Sequence, residues 1–312
     1  MAFKFKFTGA QLAILATLLW SGNFIVARAV SHQIPPVTLA FLRWACASAI
    51  LFPAAAKAIK VNGPSLRGSM GQLLLASFTG IALFNTLLYM AAKYSTATNM
   101  ALIGTTSSPI FSFLLAAMVL KEKLPLNRIA GLWIGVAGIL LLLSKGDAKV
   151  LMQFRFSQGD WLILSAAFSF ACYNIITRKR KLSLPGTQYL SIIFLLGTCM
   201  LFPFSLAEWW VYKKPITLPL LPLLGVVVYL GVCASVLAFL FWNRALAKLG
   251  AAKASIFGNL IPVFSTVEAA ILLQEKISGI QIISMLVILL GLLLANNPMS
   301  WQGIQWKKHM RS

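Results

Sequence analysis

The sequence predicts an all-α polytopic membrane protein whose ten transmembrane helices form two inverted five-helix repeats. Three observations carry this reading. Of 312 residues, 59% are hydrophobic and 11% charged, whereas a soluble domain carries about a quarter charged residues. Apolar runs long enough to cross a hydrocarbon core of ~30 Å follow one another throughout the chain. One stretch of sequence also returns 153 positions later.

In chain order the runs cover about 10–30, 37–56, 69–91, 97–120 and 127–144, then 160–177, 187–207, 219–243, 252–273 and 279–296. The connectors are short and leave no room for a separate soluble domain. The first repeat is read as residues 1–150 and the second as 151–312, ending in a short cytoplasmic tail. With the amino terminus inside, 18 of the 27 Lys and Arg fall on the inner side, eight on the outer, and Arg43 within a span. That bias is the positive-inside pattern. It places both termini in the cytoplasm of a multi-pass protein of the cell (inner or plasma) membrane. The net charge of +21 thus reports topology and suits an anionic leaflet, so no nucleic-acid partner is expected. No small-residue cleavage site follows the first run, so no cleavable signal is expected.

The duplication is clearest where "PIFSFLLAAMVLKEK" (109–123) lies over "PVFSTVEAAILLQEK" (262–276), with eight of 15 positions identical. Five spans per half force the second copy to enter the membrane from the opposite side, the inverted-repeat layout of many secondary transporters. Pro109 and Pro262 fall near the middle of the fourth and ninth runs. A mid-helix proline lacks an N–H and displaces the carbonyl four residues back, here Thr105 and Gly258. Hydroxyls at Thr105, Thr106, Ser107 and Ser108 surround the first proline, and Asn259 stands by the second. The pair predicts two bent helices lining a hydrated path, against the plainer alternative of structural prolines.

Several segments resemble the EamA family of the drug/metabolite transporter superfamily. They are "LLWSGNFIVARAV" (18–30), "LAFLRWACASAIL" (39–51), "AAKYSTATNMALIGTTSSPIF" with the following "LKEKL", and the matching ninth-span copy. The resemblance covers about residues 9–296. It implies ten spans in two five-span repeats, no nucleotide-binding site, and frequent export of amino acids, related metabolites or drugs. The sequence departs from the family pattern at Lys121 and Gln274, where a small residue often precedes the Glu.

Ionisable groups inside a membrane are functional candidates by default. Of six acids only Glu268 lies within a span; it is read as a carrier of a coupling proton or a partner for a substrate ammonium, or else as an ion-pair partner of Arg28 or Arg43. Arg43 offers a planar fork to a substrate carboxylate, with snorkelling to the outer interface as the alternative. The remaining cavity candidates are Trp20 and Asn23 in the first span, Asn85 and Tyr89 in the third, and Ser108 in the fourth. Tyr173 and Asn174 in the sixth, Phe239 and Trp242 in the eighth, and Asn259 in the ninth complete them. An interfacial belt is the alternative for Trp242. Gly131, Gly135 and Gly138 in the fifth span permit close helix contact, either within the chain or in a homodimer through the fifth and tenth spans.

No phosphate loop and no metal-ligand cluster is readable, since His32 and His309 lie outside the runs and the four cysteines fall in four different ones. No enzyme activity, cofactor or catalytic residue is therefore expected. The sequence predicts a gradient-driven secondary transporter working by alternating access, an exporter of amino acids or related carboxylate-bearing compounds. A multidrug exporter and a lipid flippase on the same fold are the alternatives.

Overall fold

The structure, a computed structural model, describes residues 7–121, 126–147, 149, 156–179, 182–212, 216–249, 254 and 257–295. Joined where they run on without a break, its main helices are α1 (Gly9–Val30), α2 (Pro36–Gly68), α3 (Met70–Ala91), α4 (Ala97–Leu120) and α5 (Leu126–Ser144). They continue as α6 (Gln158–Arg178), α7 (Gly186–Tyr212), α8 (Leu220–Leu249), α9 (Leu260–Leu272) and α10 (Gly279–Ala295). Seven are long and apolar enough to cross a membrane, and three more are shorter apolar helices. Large apolar side chains face outward, with Trp133 70% and Trp210 78% exposed, as suits a bundle whose surroundings are lipid. The chain is a multi-pass membrane protein.

Helix starts follow local chemistry. Thr8 and Gln11 cap α1 reciprocally, Ser157 and Asp160 do so for α6, and the Thr96 hydroxyl accepts from the Asn99 amide at α4. Each satisfies N–H groups that the first helical turn leaves without partners. The Lys121 and Gln274 positions are explained by their backbone. They sit at the ends of α4 and α9 with φ of 54° and 55°, in the left-handed region that glycine enters freely and other residues at a cost of roughly 1–2 kcal/mol. A small residue is therefore the natural choice at both. Gln274→Gly is expected to raise the thermal midpoint, by about 0.5–1 kcal/mol of stability once the greater freedom of the unfolded glycine is counted.

Two expected elements differ. The second run was placed at 37–56, but α2 continues for 33 residues, about 50 Å at ~1.5 Å per residue. It carries Lys57 and Lys60 beyond the apolar stretch and loses helical geometry only at Asn62. Near Pro262 the helix is interrupted: residues 257–258 are helical, Asn259 is a turn, and α9 begins at Leu260 with Pro262 as its third residue. The break at Asn259 falls next to Gly258, whose carbonyl, four residues before Pro262, has no N–H to receive. Pro109, by contrast, sits within the unbroken α4.

The helices of residues 9–144 pack mainly on those of 158–295. α5 packs on α10, α2 on α7, α4 on both α6 and α9, and α1 on α8 and α9. Two stretches are wound more widely, as π-helix: Phe78–Leu83 in α3 and Tyr229–Leu237 in α8. The first packs on α6 and α7, the second on α1 and α2. The backbones of α5 and α10 come close together. A Cβ on Gly291 would lie 2.6 Å from the Gly135 nitrogen and 2.7 Å from the Gly131 oxygen, and one on Gly138 would meet Ile288 at 2.7 Å. The glycine face of α5 is thus occupied by α10 of the same chain, which removes the motif that suggested a homodimer there.

Candidate functional site

Four consecutive residues of α1 turn toward four different neighbours. The Trp20 ring meets Phe239 at 5.5 Å and Trp242 at 5.2 Å. The Ser21 hydroxyl donates to Glu268 Oε1 at 2.8 Å. Gly22 leaves room for the Tyr229 hydroxyl, which any side chain at that position would strike and which donates to the Leu19 carbonyl at 3.1 Å. Asn23 Oδ1 accepts from Arg43 Nη1 at 2.7 Å and from the Tyr89 hydroxyl at 3.1 Å.

Arg43 is 4% exposed. Its Nη1 also donates to Asn85 Oδ1 at 3.0 Å and to the Tyr89 oxygen at 2.9 Å, while Nε donates to Ser235 Oγ at 2.8 Å. The Trp44 ring lies 4.7 Å from the guanidinium carbon. All of these partners are neutral, and among the described residues no carboxylate pairs with Arg43. Snorkelling does not occur, because Asn23, Asn85, Tyr89 and Ser235 supply inside the bundle the acceptors that the interface would offer. The expected ion pair with Glu268 does not form either. Glu268 takes its bond from Ser21, and Arg28 donates to the Ala92 carbonyl at 2.7 Å. Glu268 Oε2 is buried with no hydrogen-bond partner among the described residues. An ionised oxygen left so in a low-dielectric setting is unfavourable.

Aromatic rings extend the cluster. Phe239 meets Phe194 at 5.7 Å, and Phe194 meets Trp44 at 4.5 Å, so a row of rings runs from Trp242 through Trp20 to Trp44. Asn259 is buried at the start of α9, its Nδ2 unpartnered among the described residues; Gly258 beside it approaches the Trp242 ring.

The other candidates do not join Arg43. Asn174 Nδ2 donates to Ser112 Oγ at 3.2 Å, and Tyr173 stacks near Phe170 at 5.3 Å and covers Gly80. These residues knit α6 to α4 and α3. Ser108 is buried on α4 one turn before Ser112. Ser265, on α9, donates to the Ser21 carbonyl at 3.1 Å and so ties α9 to α1. The hydroxyls of Thr106 and Ser107, beside Pro109, are buried without partners among the described residues.

Two acids that sequence reasoning left in loops or at span ends have defined tasks. Glu208 accepts from the amides of Val37 (3.2 Å) and Thr38 (2.7 Å) and from the Thr38 hydroxyl (2.9 Å). Glu275 accepts from the amides of Ala97 (2.8 Å) and Thr98 (3.3 Å) and from the Thr98 hydroxyl (3.0 Å). A carboxylate suits the positive end of a helix, here the starts of α2 and α4.

The interior of the bundle thus gathers a buried guanidinium held by neutral acceptors, a row of aromatic rings and a carboxylate with one oxygen unpartnered among the described residues. The EamA-like transporter family model matches residues 7–144 and 157–297. The chain belongs to the EamA-like transporter family. It is accordingly a membrane transporter and not an enzyme, a protein that sits in a lipid bilayer and binds small-molecule substrates. A Salmonella typhimurium protein named "Probable amino-acid metabolite efflux pump" is 28% identical over 287 residues, covering 90% of this chain and 92% of that one. The Escherichia coli protein of the same name is 26% identical over 308 residues, 96% and 97% of the two chains. A Streptantibioticus cattleyicolor "Probable terminal-alkyne amino-acid exporter" is 26% identical over 262 residues, 84% of each. One solved crystal structure shares the fold of this EamA-like chain, with a TM-score of 0.62 at 20% identity over 92% of this chain and 96% of that one.

Proposed function

We propose that this EamA-like transporter exports amino acids or related carboxylate-bearing metabolites by alternating access, as a ten-span protein of two inverted repeats (1–150 and 151–312) with both termini in the cytoplasm of the cell membrane. The observation that carries the substrate class is Arg43, an interior guanidinium whose partners are all neutral. A planar fork matches a carboxylate, and Nη2 has no partner among the described residues. Trp20, Phe239 and Trp242 then face the substrate's side chain. Glu268 faces its ammonium group or carries a proton between the two sides. The names of three relatives support an amino-acid-like solute. Two features favour the repeat reading: packing that is mostly between the two halves, and widely wound stretches in the third helix of each. Thr106, Ser107 and Asn259 fit a polar path beside Pro109 and the α9 break, with polar atoms left for solute or solvent.

The test is uptake of radiolabelled amino acids into inside-out vesicles, with and without a pH gradient. Uptake above protein-free vesicles is expected. Lipid movement without solute uptake would favour a flippase instead. Glu268→Gln separates the two roles of the acid. If Glu268 carries the proton, the variant loses the stimulation by a pH gradient while substrate exchange at equal pH survives. An unchanged pH dependence removes the proton role.

A further inference from the structure

The widely wound stretches of α3 and α8 lie in different halves of the chain, and π-winding is uncommon and concentrated at functional sites. In each stretch a side chain closes onto a backbone carbonyl. Asn85 Nδ2 donates to the Ile81 carbonyl at 3.1 Å, and Ser235 Oγ donates to the Leu230 carbonyl, five residues back, at 2.8 Å. The same two side chains accept from one guanidinium, Asn85 through Oδ1 to Arg43 Nη1 and Ser235 through Oγ to Arg43 Nε. Two tethers therefore run outward from Arg43, each passing through one side chain to one π-wound carbonyl. The backbone is close as well, since a Cβ on Gly231 would lie 3.1 Å from the Arg43 carbonyl oxygen.

We propose that Arg43 reports substrate occupancy to both π-wound stretches, with Asn85 and Ser235 as the positioning residues that transmit it. The proposal rests on the reading of Arg43 as the carboxylate site. A carboxylate binds a guanidinium best by two parallel N–H bonds along one edge. Both available edges include Nη2, which completes its pair with either Nε or Nη1. Nε is held by Ser235, and Nη1 is shared among Asn23, Asn85 and Tyr89. A bound carboxylate therefore takes an N–H from one of the tethered groups, and that stretch is freed to rewind while the other stays held. An exchange of one tether for the other gives the two halves alternate arrangements around a fixed cation.

The experiment is amide hydrogen exchange on the full chain in nanodiscs, with and without a mixture of the twenty proteinogenic amino acids, paired with vesicle uptake of the same mixture. In the wild type the mixture is expected to speed exchange in 78–83 or 229–237 several-fold. Without any solute, Ser235→Ala is expected to exchange in 229–237 at the faster rate while 78–83 keeps its protection. Ser235→Thr, which keeps the hydroxyl, restores protection. In uptake, Ser235→Ala lowers kcat by about tenfold with KM changed less than about twofold, the signature of a lost step and not of lost binding. Unchanged protection of 229–237 in Ser235→Ala overturns the tether. Uptake that depends on Arg43 while the mixture leaves both stretches unaltered overturns the coupling and leaves the carboxylate reading standing. No uptake of the mixture by the wild type overturns both.

Discussion

Arg43→Ala is expected to reduce amino-acid uptake to the level of protein-free vesicles. The substitution removes the only positive group found among Asn23, Asn85, Tyr89 and Ser235, and with it four hydrogen bonds. Hydrogen bonds to charged groups are worth about 1.5–3 kcal/mol each. Loss of a two-pronged bond to a substrate carboxylate therefore weakens binding by on the order of a hundredfold or more. Arg43→Lys keeps the charge but offers a point instead of a fork, and its uptake is expected to fall between the two. The check is initial uptake rate per folded protein, with the thermal midpoint of each variant measured alongside. A folded Arg43→Ala that transports at the wild-type rate would falsify the carboxylate assignment.

The second large effect is structural. Gly291→Val places a branched side chain where even a Cβ would lie 2.6 Å from the Gly135 nitrogen and 2.7 Å from the Gly131 oxygen. These are backbone atoms, so no rotamer change on the facing helix gives relief. Overpacking in a tight core costs about 1–3 kcal/mol, and here the helices must part. The expected outcome is a markedly lower thermal midpoint and loss of the monodisperse peak in size-exclusion chromatography. Gly225→Val, whose surroundings are open within 4 Å, is the matched control and should leave both unchanged. Equal behaviour of the two variants would show that the α5–α10 contact tolerates separation.

The contrast between those positions indicates what a sequence can and cannot reveal. Helical and apolar character were readable because a membrane demands long apolar runs. Arg43 stood out as a cation in a greasy span. Its partners were only half visible: Asn23, Asn85 and Tyr89 are polar enough to draw notice, whereas Ser235 lies 192 positions away and looks like any small residue in a helix. Ser21 escaped for the same reason, and Tyr229 because the Leu19 carbonyl it reaches lies 210 positions away. The turn at Asn259 leaves no compositional mark, and only the structure shows the helix interrupted just before Pro262. Glu208 and Glu275 looked like ordinary span-end acids. Nothing local to them names the helix starts they reach, at Thr38 and Thr98, some 170 residues away or more.

Those two acids have a further consequence. The ends of α1 and α3 meet where Arg28 reaches the Ala92 carbonyl, so the starts of α2 and α4 lie on one rim of the bundle. Each is gripped there by a carboxylate from the opposite half, through three donors apiece. Each grip engages two amides and a hydroxyl on adjoining residues. The two halves of the chain are therefore tied together at two separate points of that rim, one through α2 and one through α4.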